Sequence, residues 1–292
     1  MRLCYNNYQK HVTEQRLCKG PVRVFWPRRA GSMARIVAVT NQKGGVGKTT
    51  TAVNLATYIA LEGNKVLLVD ADPQGNATSG LGINRKRLKY CLHDFMVDGL
   101  EFPQVMTVTR VDRLDLIPAT IDLAGAEVEL VSRPNREQVL ALALAPISEY
   151  YDYIIIDCPP SLGLLTINAL TACDSVLIPL QCEYYALEGL SQLMDTIQLV
   201  RRQLNPQLRV EGILFTMFDG RTNLSIQVVD EVKKHFRKDV YKTIIPRNIR
   251  LSEAPSHGKP IALYDSRSKG AEVYQELARE VLERGKERTR FR

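Results

Sequence analysis

The sequence predicts an α/β fold of the doubly wound kind: a mostly parallel sheet flanked by helices on both faces. Three observations carry that expectation. The apolar run Ile36 to Val39 enters a glycine-rich turn that opens into the helix-compatible stretch Thr51 to Leu61. The largely apolar runs Lys65 to Asp70 and Tyr153 to Asp157 each end in an aspartate. Neither run alternates apolar with polar residues, as a half-solvated strand would, so both read as strands buried on two faces.

The turn reads Lys43-Gly44-Gly45-Val46-Gly47-Lys48-Thr49-Thr50. Strand, glycine turn and helix together are the setting of a phosphate-binding loop. Glycines let backbone N–H groups point inward, where a side chain would block the anion. The following helix adds unpaired N–H groups and the positive end of its dipole. In that reading Gly44, Gly45, Val46, Gly47 and Thr50 belong to the cradle. Lys48 reaches the outer phosphates of ATP or ADP, and the Thr49 hydroxyl ligates Mg2+. The ordinary pattern has a glycine five places before its last glycine; Gln42 stands there instead, and a second lysine, Lys43, opens the loop. These residues resemble the deviant Walker A family of P-loop ATPases, of the ParA, Soj and MinD kind. The resemblance runs from Met33 to about Leu282. It implies that Lys43 reaches across an ATP-sandwich homodimer to the partner's phosphates.

The composition, 45% hydrophobic and 24% charged over 292 residues, is that of an ordinary globular chain. No apolar run approaches the roughly 20 residues needed to cross a membrane. Six cysteines include no C-x-x-C pair, and Cys158 and Cys173 fall in apolar surroundings. They are expected to be free buried thiols in a reducing cytoplasm, which argues against a relative of the nitrogenase iron protein. Residues 1–32 hold seven Lys/Arg and one acid, a net +6 of the chain's +7. This segment has no period and no apolar core, so it is not a secretory signal. It reads as a basic extension, disordered or the product of an upstream-extended start, with a genuine basic arm or a targeting presequence as alternatives. Residues 33–292 are expected to form a single ATPase domain.

Charge is uneven within that domain. Residues 33–200 hold 12 Lys/Arg against 19 Asp/Glu, and residues 201–292 hold 20 against 12. A basic final third is a candidate footprint for a polyanion, with an ordinary solvated surface as the plain alternative.

In chain order, Asp72 follows the second strand, at the carboxyl edge where α/β sheets bind ligands. The resemblance implies that Asp72 positions the attacking water; an Asp before Pro also caps turns. Asp70 is expected to orient Mg2+-bound water or the loop. Lys86, Arg87 and Lys89 read as a solvated face. Leu92 to Leu100 reads as a short helix, Leu114 to Ile117 as a strand stopped by Pro118, and Ile121 to Val131 and Arg136 to Glu149 as helices. Asp157 ends a central strand and delivers a carboxylate beside Mg2+. Cys158-Pro159-Pro160-Ser161 resembles the family's switch segment. Asp174 to Pro179 is another buried strand. Glu183 to Leu204 is a long helix with Leu187, Leu190, Leu193 and Ile197 on one face, near the dimer seam by resemblance.

Arg209 to Phe218 reads as a strand, Asp219 to Asn223 as a turn, Ser225 to Phe236 as a helix and Thr243 to Pro246 as the last strand. Arg247 to Ala254 is very similar to the ParA/Soj branch. That likeness implies that Pro246 and Asn248 lie near the adenine and that Arg221 and Arg250 belong to a DNA-binding surface. The structural alternative pairs Arg247 or Arg250 with Glu253 or Asp265. No helix-turn-helix or zinc finger is present to read bases, so contacts would go to phosphates and be strongly salt-dependent. Val273, Leu277 and Val281 give the final helix an apolar stripe. A MinD-type membrane anchor would need bulky apolar residues along one face of the tail, and Phe291 alone is not enough.

The resemblance thus implies an ATPase that hydrolyses ATP to ADP and phosphate. Its ATP-bound dimer would hold non-specific double-stranded DNA in a nucleoid-associated, cytoplasmic setting and use no membrane. A ParB-like partner would stimulate turnover during chromosome or plasmid segregation. The rivals are a MinD-like membrane positioning ATPase, a metabolic or electron-transfer relative, and a binding module in which Asp72 is idle.

Overall fold

Seven parallel and antiparallel strands line up in the order β3-β4-β2-β5-β1-β6-β7 in a computed structural model that describes residues 33–290. Residues 1–32, and with them the expected basic extension, lie outside the described residues, as does Phe291. The strands are β1 (Arg35–Val39), β2 (Val66–Asp70), β3 (Thr107–Val108), β4 (Leu114–Ile117), β5 (Tyr153–Asp157), β6 (Ser175–Gln181) and β7 (Arg209–Thr216). All neighbours are parallel except β3, which pairs antiparallel with β4 at one edge. Val39 and Asp70 both lie opposite Asp157 in register, so three strands end at one level.

Parallel pairing needs long crossovers, and these carry helices. They include α1 (Lys48–Leu61), α2 (Asn76–Gly80), α3 (Leu123–Glu129), α4 (Val139–Leu144), α5 (Leu164–Ala172) and α6 (Ala186–Gln203); after β7 come α7 (Asn223–Phe236), α8 (Ile249–Glu253) and α9 (Lys269–Arg290). Alternate strand residues feed two cores. Ala38, Ile154, Ile156 and Val176 face the layer of α3 to α7. Val37, Val39, Ile155 and Leu177 face the layer of α1 and α9. Of the helical stripes read from the sequence, Leu190, Leu193 and Ile197 in α6 and Val273, Leu277 and Val281 in α9 are buried, and Leu187 is half-buried against the same core as the α6 residues. Helix α9 seals α1, with Tyr274 Oη 3.2 Å from Thr51 Oγ1 and Arg279 on Glu62 at 3.1 Å.

Several elements differ from expectation. Thr243–Pro246 is not a strand; it makes one isolated bridge, Phe218 with Pro246. The Thr243 amide is spent on the Glu280 carboxylate at 3.0 Å, and Pro246 has no N–H to extend a ladder. The span Arg136 to Glu149 is broken into 3-10, α and 3-10 pieces around Pro146. The span Ile121 to Val131 is α3 followed by a 3-10 turn, and Asp94–Asp98 within Leu92 to Leu100 is a π-turn. Strand β3 is too short for periodicity to reveal. Lys86, Arg87 and Lys89 are exposed, as expected. Cys91, Cys158, Cys173 and Cys182 are free and buried, and burial pushes the Cys158 and Cys173 thiols well up. No described helix is long and apolar enough to cross a membrane.

Candidate nucleotide site and its basic rim

The loop between β1 and α1 sits at the carboxyl edge of the sheet. Gly45 and Gly47 adopt φ of 75° and 85°, left-handed backbone that side-chain-bearing residues rarely take. A Cβ added to Gly44 or Gly45 would meet nothing within 4 Å, so one face of the loop is open. The other face is braced. Asn41 Nδ2 donates to the Pro179 carbonyl at 2.7 Å, and the Thr216 hydroxyl donates to the Val46 carbonyl at 2.9 Å. The ends of β6 and β7 therefore fix the loop's curvature. Gly47, at the start of α1, offers no capping side chain, which leaves first-turn N–H groups for an anion.

Lys48 is buried and donates from Nζ to the Lys43 carbonyl at 3.0 Å. Burial lowers its pKa, and Asp157, Cys158 and Asp72 act in the opposite direction. Asp157 is fully buried, and neither carboxylate oxygen has a hydrogen-bond partner. Burial, then neighbouring Asp70, pushes its pKa well up; the Thr49 hydroxyl, with Lys48, pulls it down. An orphaned carboxylate beside a threonine at the foot of a phosphate loop is costly unless a cation uses it. Oxygen donors of this kind suit Mg2+, and Thr49 and Asp157 would hold it.

Asp72 is buried, and its Oδ1 accepts the Gln74 amide at 2.9 Å, so its turn-capping role is present. It also lies close enough to influence Lys48 and Asp157. Asp70 Oδ2 accepts from Thr78 N at 2.7 Å and Thr78 Oγ1 at 2.6 Å and so anchors α2, while its Oδ1 faces the Asp72 amide at 3.4 Å. The Lys43 ammonium pairs with Glu183, just beyond β6.

Pro246 and Asn248 line a cavity of about 290 Å3 together with Gly47, Thr50, Met217 and Tyr274. The cavity shares Gly47 and Thr50 with the phosphate loop, so the two are continuous. Asn248 Oδ1 caps α8 by accepting from Arg250 N at 2.9 Å and Leu251 N at 3.3 Å. Met217 has φ of 50°, a strained value for a residue with a side chain.

Arg221 is 89% exposed and forks onto Asp219 with contacts of 2.6 and 2.9 Å, which hold the Asp219 carboxyl well below its usual range. Arg250 is 55% exposed and contacts Glu253 at 3.0 Å and Asp265 at 3.4 Å, so the structural alternative exists for it. The two arginine-bearing segments are joined. Phe218 N donates to the Ile245 carbonyl at 3.0 Å, and Arg247 N to the Phe218 carbonyl at 3.3 Å.

Sequence reasoning missed four residues here: Asn41, Glu183, Thr216 and Met217. An Asn two places before a loop residue is a local turn signal that was available for Asn41. The other three act through tertiary approach, for which one sequence carries no signal.

A family model described as AAA domain matches residues 34–210. The chain is 64% identical over 253 residues to the sporulation initiation inhibitor protein Soj of Bacillus subtilis (strain 168), covering 87% of this chain and 100% of that protein. It is 58% identical over 253 residues to the chromosome partitioning protein ParA of Myxococcus xanthus (strain DK1622), covering 87% and 89%. Among solved structures, cobyrinic acid a,c-diamide synthase from Mycobacterium smegmatis with bound ADP and magnesium superposes with a TM-score of 0.77 at 40% identity, over 87% of this chain and 96% of that one. The same synthase has been solved with an ATP analogue and magnesium. The open loop, the orphaned carboxylate and these relatives agree on ATP and Mg2+ as ligands and on ATPase activity. By fold, by its two-lysine loop and by these identities, the chain belongs to the ParA/Soj family of chromosome-partitioning P-loop ATPases.

Proposed function

We propose that this partitioning ATPase is a nucleotide-gated DNA switch: it forms an ATP-sandwich homodimer, holds double-stranded DNA non-specifically in that state, and moves a chromosome or plasmid with a ParB-like partner. The observation that supports this reading most directly is the joined rim. The segment of Arg221 and the segment of Arg250 hydrogen-bond to each other, and the second also lines the cavity continuous with the phosphate loop. A nucleotide seated there has a short route to both arginines. One exposed arginine pair binds DNA weakly, but two linked subunits bind far more tightly, so dimerisation can gate affinity. Nucleoid association follows from such binding.

The residues take the following roles. Gly44 to Gly47 and Thr50 present backbone N–H groups to the phosphates. Lys48 and the partner's Lys43 balance charge that develops in hydrolysis. Asp72 orients the attacking water. Thr49 and Asp157 hold Mg2+, which supplies further charge neutralisation when bound. Pro246 and Asn248 flank the adenine. Residues 33–292 act as one ATPase domain, with residues 1–32 an extension to it.

The test is binding to non-specific duplex DNA with ADP and with ATP, at two salt concentrations, for wild type and Asp72→Ala. ATP-dependent, salt-sensitive binding that is stronger in the variant is expected. Absence of binding in every state overturns the DNA switch, and flotation with anionic vesicles and ATP then tests a membrane-positioning role.

A further inference from the structure

We infer that Glu183 is a positioning residue for Lys43: it holds the front lysine within its own subunit and yields it to the partner's phosphates when the ATP dimer closes. This rests on the dimer reading above.

Lys43 is tethered at three points. Its amide donates to Asn41 Oδ1 at 3.0 Å, its carbonyl accepts from Lys48 Nζ at 3.0 Å, and its ammonium pairs with Glu183. Two tethers fix the backbone, and the third fixes the end of the side chain. Both flanks of this arrangement belong to one strand end. Asn41 is anchored to Pro179 in β6, and Glu183 sits two residues past β6 in a turn where its amide donates to the Gln181 carbonyl at 2.9 Å. The lysine is therefore folded back against its own subunit by rigid elements.

The tethers differ in how they release. A phosphate oxygen is a stronger acceptor for the Lys48 ammonium than a neutral carbonyl, so nucleotide binding draws Lys48 off the Lys43 carbonyl. Glu183 then remains as the restraint on the ammonium. The two side chains are 39% and 46% exposed, so water weakens the pair and it can be given up. A polyphosphate, with several negative charges, outcompetes a single carboxylate at similar range. Beside the pair, Tyr184 and Tyr185 are 76% and 67% exposed, with ring centroids 5.0 Å apart. They offer apolar area to an arriving subunit on the very turn that holds Glu183.

An exposed pair shifts an equilibrium by a few-fold. A dimer must break two, so removing them tightens it by about ten-fold. The experiment compares wild type, Glu183→Gln and Glu183→Asp by sedimentation across protein concentration, with no nucleotide, with ADP and with a non-hydrolysable ATP analogue. Glu183→Gln should dimerise with the analogue at about ten-fold lower concentration, and Glu183→Asp should return toward wild type. At protein concentrations where wild type is mostly monomeric, kcat should rise in Glu183→Gln while KM for ATP stays unchanged, a split that a merely structural glutamate would not give. Dimerisation equal to or weaker than wild type in Glu183→Gln overturns the inference while leaving the dimer reading intact. A wild type that never dimerises with the analogue overturns both.

Discussion

Asn54 Oδ1 accepts the Ile261 backbone N–H at 2.8 Å, while its Nδ2 donates to the Thr50 carbonyl at 2.8 Å. One buried side chain thus locks the phosphate-loop helix α1 to the chain that follows α8. Asn54→Ala leaves the Ile261 N–H buried without a partner, which costs about 1–3 kcal/mol. Urea unfolding should show that loss, with a smaller fall in ATP affinity because the phosphate loop itself is untouched. An unchanged midpoint would mean that water replaces the bond.

The two polar centres of the site should fail differently. Lys48→Ala is expected to abolish nucleotide binding, measured by fluorescent ATP titration. Asp72→Ala is expected to bind ATP and Mg2+, to turn over at least about 100-fold more slowly, and to accumulate as a dimer that still holds DNA. Loss of ATP binding in Asp72→Ala would show that its turn-capping contact to Gln74 is its main role.

On the basic rim, Arg250→Glu should abolish DNA binding and preserve the ATP-dependent dimer. Because Glu253 and Asp265 both contact Arg250, the reversal also places three acids together. Arg250→Ala is the gentler companion and should weaken DNA binding about ten-fold with a shallower salt dependence. DNA affinity unchanged in both variants would assign Arg250 to its two carboxylates alone.

Stability should fall as pH rises through the window set by Asp115. This carboxyl is buried in β4, and burial pushes its pKa up to about 6; the Lys65 charge and the Tyr151 hydroxyl, which donates at 2.9 Å, act the other way. The folded protein holds this proton where the unfolded chain, near 3.8, has lost it. Stability from the protonated group is fully present below about 4 and is lost as pH rises through about 6, a change of up to about 3 kcal/mol. Asp115→Asn does not titrate and keeps an acceptor for Tyr151. Its unfolding free energy relative to wild type should therefore improve between pH 4 and pH 7; a flat difference would mean Asp115 titrates at its ordinary value.

The fold was legible wherever a run of residues carries its own signal. Ile36–Val39 into Gly45 and Gly47 predicts β1, loop and α1, and the runs ending at Asp70 and Asp157 predict β2 and β5. Those signals arise because a parallel strand covered on both faces is a nearly continuous apolar run, and a phosphate loop needs glycine where its backbone turns left-handed, as at Gly45 and Gly47. The misreadings lie where distant groups compete for one backbone. Thr243 has a strand's composition, yet Glu280, on α9, takes its amide. Arg221 and Arg250 were placed on one basic surface by resemblance; the pairing of Arg250 with Glu253 and Asp265 was the stated alternative and is present, whereas the Arg221–Asp219 fork was not foreseen.

The cover that α9 lays over α1 also bears on how the chain is born. A ribosome completes Lys48–Leu61 long before it makes Val273, Tyr274 and Val281, and β1 waits for β5 and β6 before it has either neighbour. Pairings this far apart in sequence close late. A nascent or prematurely terminated chain therefore carries a phosphate loop on a helix whose apolar side is still bare, the kind of exposed surface that invites aggregation. The helix that carries the phosphate loop thus gains its full packing only when the last helix is made.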